Sequence, residues 1–232
     1  MTAEFPVLPF RTTLYTPAEL FAGFRSDDPT SYAATLDLAA YRSTRLGPNR
    51  EVGMLRALHD QCVTEARDAF LAGRRVVAVM GGHAMARTDT AYRQVMTARL
   101  TGRGVSLAVP TWFYGHEPPT PFATHLAKYF SNSLREDGLL AVAADGIVFA
   151  PGRAGTLQEV FQEAAQNSYR VFHDRFSPMA FLDTDRCWTE RFPVGPLLET
   201  LFGPEDYARY VCISRDPDEI LTFLAAASVQ PL

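Results

Sequence analysis

Apolar residues recur at helical spacing from Glu51 to Gly73, through Val52, Leu55, Leu58, Cys62, Ala66, Ala69 and Phe70, and Gly73 stops the run. Val76-Val77-Ala78-Val79-Met80 is an unbroken apolar stretch, the pattern of a strand covered on both faces, and Gly81-Gly82 follows directly. The same alternation continues down the chain. It predicts a helix over about 89–99, a strand over 105–109, and a helix from Phe122 to about Ala144 with an interruption near Gly138. A strand over 146–150, a helix over 154–169 and a strand over 178–182 follow. The last predicted elements are a helix over roughly 189–202, a strand over 210–213, and a helix over 216–226 that opens on Asp216-Pro217, a cap followed by proline. Strands alternating with helices predict an α/β fold: a Rossmann-like open, mostly parallel sheet with helices on both faces. Residues 1–50 lack this periodicity and read as an N-terminal extension of short elements packed on the 51–232 domain.

Composition narrows the classes. Of 232 residues 47% are hydrophobic, enough for a large core, and net charge is −4. The longest basic block is Arg74-Arg75, so the basic face that nucleic-acid binding demands is missing and that partner is not expected. Cys62, Cys187 and Cys212 are far apart and form no CxxC pair, which suits unpaired thiols in a reducing compartment. The N-terminus MTAEFPVLPF has no basic region of the secretory kind, and no apolar run approaches the ~20 residues a bilayer span needs. A cytoplasmic protein without a membrane partner is the expectation.

In open parallel sheets ligands sit beyond the carboxyl ends of the strands, where glycine turns lead into helix N-termini. Two turns qualify: Gly81-Gly82-His83 and Pro151-Gly152-Arg153-Ala154-Gly155-Thr156. The second has no Walker A lysine and no GxGxxG spacing, so a mononucleotide or phosphate fits better than ATP or a dinucleotide. Glycines let a backbone approach a ligand, amides at a helix start bind an anion, and the Thr156 hydroxyl adds a donor. The plainer alternative is a tight turn with Thr156 as a helix cap. Glu159 is expected in the first turn of the next helix, where the helix dipole alone also favours an acid.

PGRAGTLQE resembles the PGGxGTxxE signature of the Lonely Guy (LOG) family of nucleotide phosphoribohydrolases. Asn132-Ser133-Leu134-Arg135-Glu136-Asp137 lies upstream near the place of the family's catalytic arginine, and Gly81-Gly82 with Arg87 and Tyr92 resembles its first phosphate-side turn. The resemblance runs from about Val76 to Ile213. It implies that Gly152, Arg153, Ala154, Gly155 and Thr156, with Gly81 and Gly82, bind the phosphate of a nucleoside 5′-monophosphate. It casts Glu159 and Arg135 as the catalytic pair, needs no cofactor or metal, and implies a homodimer. Arg153 stands where the signature has its second glycine, and Val105–Val109 runs into Pro110-Thr111-Trp112 where many relatives carry a further glycine-rich turn. A non-catalytic nucleotide- or phosphorylated-cofactor-binding protein on the same fold therefore stays open beside the hydrolase.

Other chemistry is less well supported. His59, His83, His116, His125 and His173 show no metal-ligand spacing with the cysteines, and no GxSxG elbow is present. Lys128, the one lysine, reads as a solvated or snorkelling side chain rather than a Schiff-base nucleophile. Trp112, Phe113 and Tyr114 could stack on a base or serve as an apolar cover.

Overall fold

The computed structural model describes residues 5–45, 50–72, 76–80, 90–100, 104–115, 120–171 and 176–227. The chain gathers into two compact units: Met1–Ala84 with Arg99–Leu139, and Met85–Ala98 with Leu140–Leu232.

In the first unit α1 (Pro17–Leu20), a 3-10 turn (Pro29–Ala34) and α2 (Leu36–Ser43) precede the long α3 (Arg50–Ala72). Each short element starts on a side-chain cap: Thr16 for α1, Asp28 for the turn and Thr35 for α2. Strands β1 (Val76–Met80), β2 (Val105–Ala108) and β3 (His125–Leu126) form a parallel sheet in that order, with Val79 opposite Leu107 and Ala108 opposite Leu126. Tyr15 closes the outer edge of β3, exchanging backbone hydrogen bonds of 2.9 and 2.8 Å with Leu126.

The predicted helix from Phe122 is corrected here. Residues 126–130 are all buried, β3 pairs with both β2 and Tyr15, and the helix α5 begins only at Asn132 and ends at Ala141. An apolar run of this length fits a buried strand as well as a helix, and the pairing decides it. Gly138 is no interruption: a Cβ there would stand 2.9 Å from Arg67 Cζ, so glycine lets the Arg67 guanidinium lie against α5. The buried face of α3 also differs from the apolar stripe read in the sequence. It comprises His59, Asp60, Val63, Ala66 and Arg67, so much of it is polar.

In the second unit β4 (Ile147–Phe149), β5 (Met179–Leu182) and β6 (Val211–Ser214) form a parallel sheet with β5 at its centre and fully buried. Alternate β5 residues face opposite layers. Met179 and Phe181 join Val160 and Ala164 of α6 (Ala154–Tyr169) and Leu198 of α7 (Gly195–Phe202), whereas Ala180 and Leu182 join Ile220 and Leu224 of α9 (Pro217–Ala227). Ala91 and Tyr92 of α4 (Thr90–Leu100) pack on that second face, so this sheet carries helices on both sides. Helix α8 (Pro204–Tyr210) has no counterpart among the predicted elements, and the helix expected from 189 is a π turn at Cys187–Arg191 followed, after Pro193, by α7. The chain is therefore mixed α/β, and among the described residues six strands are hydrogen-bonded as two parallel sets of three. No helix among the described residues is long and apolar enough to cross a membrane.

Candidate functional site

The carboxyl end of β4 is held before it turns. The Trp188 indole N–H donates to the Phe149 carbonyl at 3.1 Å, and Trp188 is itself fully buried. Asp183, just past β5, fixes the segment that carries the indole: its carboxylate accepts from the amides of Trp188 (2.6 Å) and Thr189 (3.2 Å) and from the Thr189 hydroxyl (2.7 Å). Pro151 is buried, and Gly152 follows with Thr156 folded back on it. A Cβ on Gly152 would lie 2.6 Å from Thr156 Cβ, so this position needs glycine for space.

Arg153 is the N-cap of α6, extended at φ −129°, ψ −151°, exposed, and makes no side-chain capping bond. The first intrahelical bond runs from Leu157 N to the Arg153 carbonyl at 3.0 Å, so the amides of Ala154, Gly155 and Thr156 have no partner within the helix. Thr156 is the third helical residue, not the cap. Glu159 is the sixth and lies in the second turn, which corrects its expected place in the first. Dipole stabilisation falls off within the first turn, so the helix end is a poor reason for an acid at this depth. Glu159 is half-buried and rises about 4.5 Å along the axis beyond Thr156.

Arg135 belongs to the first unit and is 5% exposed. Its guanidinium donates to Val109 O (3.5 Å), just past β2, to Asn132 Oδ1 (3.2 Å), and to Glu136 Oε1 (3.2 Å) in an ion pair. It therefore sits at the carboxyl end of its own sheet. Gly81 and Gly82, with Arg87, lie outside the described residues; Tyr92 is half-buried, and burial pushes its hydroxyl up to about 12.

No protein-family model and no curated protein matches the chain.

Several sequence readings change. Trp112 is fully buried and donates its indole N–H to Asp37 Oδ1 at 2.8 Å, which removes it from any stacking role. Phe113 and Tyr114 are exposed, and the Tyr114 hydroxyl accepts from Asn132 Nδ2 at 2.9 Å. Lys128 is 2% exposed and pairs with Asp37 at 2.6 Å, so it is a buried structural cation rather than a snorkelling one. Burial pulls its ammonium below the ordinary lysine range while Asp37 opposes the shift.

Two carboxylates absent from the sequence reading organise the first unit. Asp37 gathers Lys128, Trp112 and the Tyr32 hydroxyl; Asp60 accepts from Phe130 N (2.8 Å) and Ser131 N (2.7 Å) where α5 begins, and its neighbour His59 bonds Tyr15 at 2.7 Å. Neither has a sequence signal: Asp37 lies in the unpatterned 1–50 stretch, and Asp60 lies off the apolar stripe of the 51–73 helix. Among the described residues no group of His, Cys, Asp and Glu could hold a metal, and Cys62, Cys187 and Cys212 are all free thiols.

Proposed function

We propose that this chain is a Rossmann-like, LOG-type nucleotide phosphoribohydrolase that cleaves the N-glycosidic bond of a nucleoside 5′-monophosphate, giving free base and ribose 5-phosphate. The observation that carries the reading is the Pro151–Thr156 turn. It leaves a parallel strand at its carboxyl end, opens a sixteen-residue helix without a side-chain cap, and has an acid one turn deeper. Those amides and the Thr156 hydroxyl suit a phosphate. Three parallel strands with helices on both faces, as in β4-β5-β6, support that reading, since a mononucleotide-binding half of the doubly wound fold is built of such parts.

Cleavage passes through an oxocarbenium-like sugar. Glu159 stabilises that charge and orients or deprotonates the attacking water, whose oxygen bonds to the anomeric carbon as the bond to the base breaks. Arg135, charged at any working pH, holds the phosphate or the departing base. The protein is a cytoplasmic homodimer in this reading, with neither cofactor nor metal.

The test is incubation with a panel of monophosphates and assay of ribose 5-phosphate. Glu159→Gln should lower turnover about 10²–10⁴-fold, the usual contribution of an acid–base group, while monophosphate affinity changes little. Unchanged turnover in that variant would place the chemistry elsewhere.

The second reading, a non-catalytic binder, is favoured by Arg135, whose guanidinium is already engaged by Glu136, Asn132 and Val109. Binding of a monophosphate with no ribose 5-phosphate from any member of the panel selects it.

A further inference from the structure

Glu163 lies one turn beyond Glu159 on α6 and plays no part in the proposed reaction. It is 2% exposed, and its Oε2 is buried with no hydrogen-bond partner among the described residues. Its neighbours on the buried face of α6 are Val160, Ala164 and Asn167, the first two in the apolar cluster with Phe149, Met179 and Phe181. Asn167 clamps Ser177, the residue two before β5, accepting from its amide at 2.8 Å and donating to its carbonyl at 3.0 Å. The buried Ser177 side chain lies close enough to Glu163 to favour its ionised form, against the larger effect of burial.

Among the described residues the elements packed there offer no positive charge to balance an ionised carboxylate. β4 and β5 contain no ionisable residue, the cluster adds Cys187 and Tyr207, and the acids Glu159 of α6 and Glu199 of α7 are half-buried and exposed. A buried carboxylate with an orphaned oxygen and no counter-ion is held in its neutral form.

We propose that Glu163 is a proton-operated latch: the neutral carboxyl lets α6 pack on the apolar cluster of β4 and β5, and loss of the proton puts a buried charge there and loosens that packing. The latch is independent of what the chain binds or cleaves.

Burial pushes the Glu163 carboxyl from 4.5 up to about 7, with the Ser177 hydrogen bond acting the other way as the smaller influence. A carboxyl raised in the folded state stabilises fully below its unfolded value. That stabilisation is lost as pH rises from about 4.5 through about 7, because the unfolded chain gives up the proton first. Across that window the unfolding equilibrium constant rises by roughly 10²-fold from this group alone.

The experiment is urea unfolding of the full chain at intervals from pH 5 to 8.5, for the wild type and Glu163→Gln. The ratio of their unfolding constants should change about 10²-fold in the sense that the wild type loses relative stability as pH rises. Taking the ratio cancels every other titrating group. Parallel profiles overturn the latch. Should Glu163→Gln fail to fold, carbon NMR titration of the wild-type side chain decides: a midpoint near 7 supports the latch, and one in the ordinary carboxylate range refutes it.

Discussion

Removing the carboxylate of Asp37 tests how the first unit is held together. Asp37 is fully buried, and its two oxygens take the Lys128 ammonium, the Trp112 indole N–H and the Tyr32 hydroxyl. At the 2.6 Å separation of Lys128 Nζ, an effective dielectric of ~20 gives about 6 kcal/mol of gross attraction, most of it offset by desolvation. Asp37→Ala strands a cation that is 2% exposed, and loss of one partner from a buried pair costs roughly 3–5 kcal/mol. The orphaned indole adds to this, within the ~1–3 kcal/mol range of an unmet buried donor. Total stability of about 5–15 kcal/mol makes that a large fraction. Lys128→Met alone should also destabilise, whereas the double variant should cost less than the sum of the singles, with a coupling of about 1–3 kcal/mol. Urea unfolding followed by circular dichroism measures all three. A loss below about 1 kcal/mol for Asp37→Ala, or strict additivity, would refute the buried-pair argument.

Gly152→Ala forces a methyl onto Thr156 and should weaken monophosphate binding by an order of magnitude or more in calorimetry, with ribose binding unaffected. Asp60→Ala removes the acceptor of the Phe130 and Ser131 amides and should cost about 2–3 kcal/mol in denaturant unfolding; an effect within ~0.5 kcal/mol would show that the amides find water instead. Trp188→Phe keeps the ring and deletes the bond to the Phe149 carbonyl. It should cost about 1–2 kcal/mol and raise the Kd for a monophosphate, and an unchanged Kd would detach the indole from the site.

The apolar runs carried most of the fold. β1 and α6 have the bounds read from the sequence, and β2, β4, β5 and β6 are each within a residue or so at either end, because a short unbroken apolar stretch is how a parallel strand is written. Phe122–Phe130 failed for the same reason: its run is apolar whether helical or extended, and the deciding partner, Tyr15, lies far away in sequence. The glycine turn is legible as a turn, but with the helix starting at Ala154 the Glu159 carboxylate falls in its second turn rather than its first. What escaped altogether is the polar interior. Asp37, Asp60, Lys128 and Glu163 look like surface residues by type, and their burial follows from partners that periodicity does not encode.

The separation between those partners bears on synthesis. Asp37 and Lys128 are 91 residues apart, and Asp60 waits for an amide 71 residues further on. At about 5–20 residues per second, a ribosome that has made Asp37 needs roughly 5–20 s to supply its cation. Throughout that interval Tyr15, Leu20 and Tyr32, all destined for burial, have no finished interior to enter. Slowed elongation between codons 37 and 128 should therefore lower the yield of native protein more than the same delay placed after codon 128.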